Sequence, residues 1–287
     1  MKLGLIGIGI TQSRSPDLHH RLGQLTDIDT RYDLFDVSGV SDFSLPDHLE
    51  RLQREGYRGV NITYPFKEQA LTLARHAGES ARRVGSTNTL LFEADGIRAE
   101  NTDFTGFQSA WRFNFGEVAP GGVVQLGAGG VGRAVAHALA GLQAPWMAIF
   151  DTDTERAERL AAELRHLGTE ATAIDRDGLA DRLMSAEGVL NCSPIGHLDH
   201  PGCPLDTTLL RSEQWIFDAV YVPAETELLM AARQRGMTVL SGVDLFVFQG
   251  VDAFRWFAAS SEAEARIVQQ TPTLRAHYHR ELIGPPP

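Results

Sequence analysis

Residues 123–139, VVQLGAGGVGRAVAHAL, constrain this chain more than any other stretch. A short β-rich run, 123–126, enters Gly127, Gly129 and Gly132 in G-x-G-x-x-G spacing, and an alanine-rich helical pattern follows. A pyrophosphate needs backbone N–H groups aimed at it with no Cβ in the way. The first turn of a helix supplies unpaired donors and a partial positive charge. In this reading Gly127 permits the tight turn, Gly129 the close approach and Gly132 the packing of helix on strand. A second apolar run, 146–150, then delivers Asp151 about 20 residues beyond the glycines, where an acid accepts hydrogen bonds from the adenosine ribose. That acid favours NAD over NADP. Asp153 competes for the role, but its place before Thr154-Glu155-Arg156 reads as a helix cap.

The alternative for any glycine motif is an ordinary strand-to-helix loop. Here strand, turn, helix, second strand and terminal acid fall in order, so a dinucleotide site is expected, with Gly127, Ala128, Gly129, Gly130, Val131 and Asp151 around the cofactor.

With 287 residues the chain is long enough for two domains. Its 37 acidic residues outnumber 26 basic ones, giving a net charge of −11, which argues against nucleic-acid or membrane-surface partners. No apolar run approaches the ~20 residues of a membrane span. The opening MKLGLIGIGITQ is broken by glycines and reads as a first strand rather than a signal segment. Two cysteines, Cys192 and Cys203, suit a reduced cytoplasm better than a disulfide framework. No Cys/His spacing matches a zinc site, and no metal is expected.

From the N-terminus, β-rich runs alternate with helical patterns: 3–8 then 16–25, 32–37 then 46–55, 59–63 then 65–75. Such alternation builds a mostly parallel sheet with helices on its faces. Runs 87–92 and 96–100 flank Asp95-Gly96, a hairpin signal. Residues 101–115 read as a helix that bridges two domains as a stiff, hinged connection. After the glycine unit come helices at 155–167, 178–184 and 225–235 and strands at 171–174, 188–191, 215–221 and 238–241. Residues 246–258, FVFQGVDAFRWFA, form a helix too apolar for the surface, which is expected to return to the first domain; the tail 283–287 reads as disordered. The fold class is therefore α/β in two domains. A substrate domain spans 1–103 with returning helices in 245–287, and a Rossmann domain spans 104–244.

Polar clusters in the first half are not explained by core packing. Ser13 and Ser15 stand where a helix begins, either as caps or as hydroxyl donors for a substrate carboxylate, and the residues alone leave both open. Lys67 falls in the first turn of a helix after the strand ending in Asn61-Ile62-Thr63, where the dipole disfavours a cation. That placement suits a general acid or base facing a crevice with Asn61 and Thr63, against a snorkelling lysine beside Glu68. Asn88 and Asp103 are either turn and capping residues or groups that grip a polyol and orient Lys67.

Taken together, Ser13-x-Ser15-Pro16, Gly59-Val60-Asn61-Ile62-Thr63-x-Pro65-x-Lys67, Gly85-x-x-Asn88-Thr89, Asn101-Thr102-Asp103-x-x-Gly106, Gly127-Ala128-Gly129-Gly130, Asn191-x-Ser193-Pro194-x-Gly196, Asp218-x-Val220-Tyr221-x-Pro223-x-x-Thr226 and Gln249 resemble the shikimate dehydrogenase family, quinate/shikimate dehydrogenases included. The resemblance implies a catalytic pair of Lys67 and Asp103. It implies a ring-acid pocket of Ser13, Ser15, Thr63, Asn88, Tyr221 and Gln249, and a nicotinamide flanked by Asn191, Ser193, Pro194 and Gly242. Lys67 would take the proton of the ring C3 hydroxyl as hydride passes to the nicotinamide.

Three positions depart from the family's biosynthetic members: Gln12 stands for the usual His, His197 for Met, and Asp151-Thr152-Asp153 for the Asn-Arg-Thr that serves NADP. A carboxylate at that place repels a 2′-phosphate, so the chain resembles the NAD-using quinate/shikimate branch. The expected partner is a small ring acid (shikimate, quinate or an analogue such as an aminoshikimate), acting on a cytoplasmic monomer or homodimer. The competing readings are an NADP-dependent biosynthetic enzyme, a non-catalytic ring-acid sensor, and a folate dehydrogenase on the same plan. Lys67 with Asp103 speaks against the sensor, and the Ser-x-Ser pair and Gln249 against the folate enzyme.

Overall fold

The structure, a computed structural model, describes residues 1–283. The chain divides into two compact units, Met1–Gly106 with Val247–Leu274, and Phe107–Phe246 with the residues from Arg275 onward.

In the first unit six strands, β1 (Lys2–Gly7), β2 (Arg31–Asp36), β3 (Gly59–Ile62), β4 (His76–Ala77), β5 (Thr89–Glu93) and β6 (Gly96–Glu100), form one sheet in the order β2-β1-β3-β5-β6-β4. The pairs β1–β2, β1–β3 and β4–β6 are parallel, while β3–β5 and β5–β6 are antiparallel. Helices α1 (Ser15–Thr26), α2 (Leu45–Arg54), α3 (Lys67–Thr72) and α4 (Glu79–Val84) connect them. α2 shows why its sequence is helical: Leu45, Leu49 and Leu52 recur on one face and are buried, and the Ser44 side chain accepts from Asp47 N at the start. Those leucines pack with Ile6, Val60, Ile62 and Leu90, each contributing roughly 1.5–3 kcal/mol of burial.

This topology fixes where chemistry gathers. Parallel β1 and β3 end at one edge of the sheet; antiparallel β5 begins there; β6, antiparallel to β5, ends there again. The loops carrying Ser13, Thr63 and Asn88, and the start of the helix carrying Asp103, all lie at that edge.

The second unit follows α5 (Thr102–Phe115), within which the chain passes from one unit to the other. Strands β7 (Val123–Leu126), β8 (Trp146–Phe150), β9 (Glu170–Ala173), β10 (Gly188–Asn191), β11 (Trp215–Asp218) and β12 (Thr238–Ser241) are all parallel, in the order β12-β11-β10-β7-β8-β9. α6 (Gly130–Gly141), α7 (Thr154–His166), α8 (Arg176–Ser185) and α9 (Glu227–Gln234) are the helices between them. Every residue of β7, β10 and β11 is buried, as expected of strands covered on both faces. The strand order reverses between β7 and β10, which is the switch point where such sheets open a ligand crevice.

α10 (Gly242–Ala258) is as apolar as expected, with Val247, Phe248, Val251, Phe254 and Phe257 buried. Three elements escape periodicity. β4 and α4 have two and six residues, too few to show a period, and α11 (Ser261–Leu282) contains Pro272. A proline removes one helix donor and normally marks an end; here Thr271 Oγ1 donates to Ile267 O at 2.7 Å on the same turn. The helix expected over 65–75 shrinks to α3, because the chain turns at Tyr64 and Pro65 before it starts. Of the tail expected to be disordered, Ile283 forms a turn and 284–287 lie outside the described residues.

Candidate active site

Lys67 is the first residue of α3, and its Nζ donates to Asp103 Oδ2 at 2.6 Å. Both side chains are largely withdrawn from water, 15% and 10% exposed, so each charge has the other as its main compensation. Two local features free Asp103 for this pairing. Asn101, not Asp103, caps α5, its Oδ1 accepting from Phe104 N at 3.1 Å, and Asn101 is anchored in turn by Nδ2 donating to Ser86 O. The lysine backbone is tied to the Asn88 loop through Thr87 N, which donates to Lys67 O.

The serine loop lies at the start of α1. Ser15 is the first residue of α1 and Arg14 the capping position, without a side-chain cap bond. Ser13 Oγ accepts from Ser15 N at 3.2 Å and donates to Ser15 Oγ at 3.1 Å, so the two hydroxyls sit side by side. Asp36 holds this loop, accepting from Gly9 N, Ile10 N and Ser38 N. Thr63 follows β3 and lies against Gly7, where an added Cβ would come within 2.3 Å of the threonine methyl. Gly106, one turn beyond Asp103, lets the Gln249 backbone approach α5; a Cβ there would meet Gln249 N at 2.5 Å.

Asn61 corrects an expectation. It does not face a crevice with Lys67, because it is buried and fully used: Oδ1 accepts from Tyr32, and Nδ2 donates to Asn88 O and Thr89 Oγ1. Asn88 itself is buried, with Oδ1 accepting from Thr102 N at 2.7 Å.

In the second unit the glycine turn has the form its sequence demands. Gly127 has φ +97°, and a Cβ on it would press on the Cys192–Ser193 backbone at 2.6 Å. Gly132 could not bear a side chain either, because its Cβ would lie 2.3 Å from Gly127 O. Gly129 alone of the three faces open space. It is the N-cap of α6 with no side-chain cap bond, which leaves the N–H groups of Gly130 and Val131 for an anion. Gln125, buried beneath the turn, donates Nε2 to Gly127 O and Gly132 O.

Asp151 directly follows β8 and is buried, with Oδ2 accepting from Ala128 N at 2.7 Å and Oδ1 from Asp153 N at 2.9 Å. The acid therefore shapes the turn after β7. Asp153 caps α7, its side chain accepting from Arg156 N. Arg156 lies 3.5 Å from Asp153 Oδ2 and 3.9 Å from Asp151 Oδ1.

Asn191 is hydrogen-bonded through both ends of its amide. Its Nδ2 donates to Ile195 O and Asp218 Oδ1, and its Oδ1 accepts from Ser193 N and Oγ, so it shapes the turn before Pro194 rather than offering a free amide to a cofactor. Asp218 anchors this network, taking Thr226 Oγ1 and Val220 N besides. Burial pushes its carboxyl up to about 6, against the pull of those three donors. Gly242 packs on the carbonyls of Ala219 and Val220, and Tyr221 stacks on Phe246 at 5.2 Å.

One signal that sequence reasoning missed is compositional. Of the 26 basic residues other than histidine, Lys2 and Lys67 are the only lysines. Lysine and arginine are not interchangeable at a paired site, because arginine keeps its proton in proteins.

A dinucleotide turn at the switch point of a parallel sheet, in one chain with an amine–carboxylate pair at another sheet's edge, defines a nicotinamide-dependent oxidoreductase. Residues 5–90 match the profile of the shikimate dehydrogenase substrate binding domain, and 123–196 that of the saccharopine dehydrogenase NADP binding domain. The chain belongs to the shikimate dehydrogenase family. It is 38% identical over 260 residues to a quinate/shikimate dehydrogenase (NAD(+)) of Corynebacterium glutamicum, spanning 89% of this chain and 92% of the relative. It is 37% identical over 287 residues to a shikimate dehydrogenase (NADP(+)) of an Arthrobacter species, spanning 98% and 95%. Among solved structures, the quinate dehydrogenase of Corynebacterium glutamicum in complex with NAD superposes with a TM-score of 0.85 at 36% identity, covering 94% of this chain and 99% of that one. The Thermus thermophilus shikimate 5-dehydrogenase in complex with NADP(H) and shikimate gives 0.79 at 28% identity, covering 94% and 99%. Among the described residues no helix is long and apolar enough to cross a membrane.

Proposed function

We propose that this protein is an NAD-preferring dehydrogenase that interconverts the C3 hydroxyl and ketone of shikimate, quinate or a close ring acid. The observation that carries the reading is the Lys67–Asp103 pair, 2.6 Å apart and mostly withdrawn from water. A dinucleotide bound at the glycine turn supplies the hydride acceptor. In the oxidising direction Lys67 acts as the base toward the ring hydroxyl, with Asp103 beside it at 2.6 Å. As the C–H hydride leaves the ring carbon, Lys67 takes the hydroxyl proton, and Asp103 balances the ammonium that forms. The reverse direction returns that proton to the growing alkoxide. Within the first unit Ser13 and Ser15 hold the substrate carboxylate with Thr63, Asn88 and Gln249 around the ring, and within the second Ser193, Pro194 and Gly242 flank the nicotinamide.

The NAD preference is supported by Asp151, buried at the end of β8, where a 2′-phosphate would meet a carboxylate. A second reading, use of NADP, is favoured by Arg156, whose guanidinium lies beside Asp151 and Asp153. Two unpaired cysteines support the expectation of a reducing, cytoplasmic setting. Steady-state rates with shikimate and quinate, each with NAD and with NADP, test the whole reading. Equal use of both cofactors removes the role given to Asp151, and no turnover with either acid removes the function.

A further inference from the structure

We propose that Thr102 is a positioning residue for Asn88, fixing its amide so that the Nδ2 donor, not the oxygen, faces a hydroxyl of the ring substrate. The inference rests on the reading above, in which Asn88 binds substrate. Three donors converge on Asn88 Oδ1: Thr102 N at 2.7 Å, Thr102 Oγ1 at 3.1 Å and Thr89 Oγ1 at 3.1 Å. A backbone N–H has only one sense, so the atom it meets is the oxygen.

The polarity is reinforced from behind. Asn61 Nδ2 donates to Asn88 O at 3.1 Å, which fixes the Asn61 amide, and it donates also to Thr89 Oγ1 at 3.0 Å. Asn61 Oδ1 takes the Tyr32 hydroxyl at 2.9 Å, and the Tyr32 ring stacks on buried His19 at 4.5 Å. The donor chain thus runs one way, Tyr32 to Asn61 to Thr89 to Asn88. Asn88 directly precedes β5 and Thr89 opens it, and every member of the donor chain is buried. Reversing the Asn88 amide would set its NH₂ against the Thr102 N–H and leave buried donors unmade, a penalty of about 1–3 kcal/mol each.

With the oxygen saturated, the amide nitrogen is the remaining polar atom of the side chain. No hydrogen bond among the described residues uses it, and it is not among the sealed atoms without partners. Thr102 also directly precedes Asp103. One helix start therefore aims both the amide and the carboxylate that pairs with Lys67.

The test compares the unaltered enzyme with Thr102→Val, Thr102→Ser, Asn88→Ala and the double variant Asn88→Ala/Thr102→Val, using shikimate or quinate with NAD. Thr102→Val should raise KM for the ring acid about tenfold, change kcat less than threefold and leave KM for NAD alone. Thr102→Ser should restore KM to within about twofold. In the Asn88→Ala background Thr102→Val should add less than about twofold, because its effect passes through the missing amide. An unchanged KM in Thr102→Val, or an equal factor in both backgrounds, overturns the proposal. If Thr102→Val fails to fold, Thr89→Val removes a donor from the same oxygen and carries the same expectations. Absence of turnover by the unaltered protein overturns the functional reading and this proposal with it, whereas normal turnover with an indifferent Thr102 overturns this proposal alone.

Discussion

Replacing Lys67 by arginine separates the two things the lysine does. At 2.6 Å, and with an effective dielectric constant of about 20, the attraction between the Lys67 and Asp103 charges is about 6 kcal/mol before desolvation is subtracted. Lys67→Ala forfeits that attraction and leaves Asp103 unpaired, so it should lower stability by about 3 kcal/mol, the low end for breaking a buried pair. Lys67→Arg keeps a cation with a fork suited to a carboxylate, so its unfolding free energy should stay within about 1 kcal/mol of the original. A guanidinium, however, does not give up a proton near neutral pH. Removing a positioned acid–base group slows turnover about 10²–10⁴-fold, equivalent to about 3–5 kcal/mol on the barrier. Reduced nicotinamide formation at saturating ring acid, beside a urea titration of each variant, gives both numbers. A Lys67→Arg enzyme that is fully stable and keeps more than a tenth of the turnover would refute proton transfer by Lys67 and leave it only a charge.

Four further outcomes follow from the geometry. Gly129→Ala should leave stability unchanged and raise KM for NAD at least tenfold, because the new methyl meets no protein atom and only the ligand; Gly127→Ala, at φ +97° and against backbone, should instead lower the Tm by several degrees. Asp151→Asn should narrow the NAD/NADP preference in kcat/KM, while a ratio that does not move assigns the preference elsewhere. Asp218 has a folded-state affinity for protons above its unfolded one, so its contribution is fully present below the ordinary carboxylate range and is lost as pH rises towards about 6. Asp218→Asn should therefore gain on the parent between about pH 4 and pH 6, by up to about 3 kcal/mol, and denaturant midpoints at pH 5 and pH 7.5 check the sign.

The glycine turn was legible from sequence because its demands are local: Gly127 needs a positive φ, Gly132 needs contact with the preceding strand, and both follow from spacing. Asp153 as a cap was legible for the same reason. Asn61 was not, since its neighbours in the motif point to a site while its partners, Tyr32 and Thr89, come from strands 29 and 28 residues away. The same holds for Asn191, whose amide is used up by Asp218 across the sheet. Family resemblance marks such residues without distinguishing a group that touches ligand from one that holds its neighbour. That distinction lives in the hydrogen-bond partners, which are long-range and invisible to local pattern. The helices expected in 245–287 are α10 and α11, and α11 runs through Pro272 where local propensity alone would break it.

The near absence of lysine has a practical corollary. Reductive methylation with labelled formaldehyde would place tags at three amines only: the N-terminus, Lys2, exposed and donating to Glu55 O, and Lys67 beside its carboxylate. In a nuclear magnetic resonance spectrum so sparse, the Lys67 amine can be followed by its own signal as pH and ring acid are varied. Most dehydrogenases of this size would bury that signal under dozens of others. Here the chain's preference for arginine has already cleared the background.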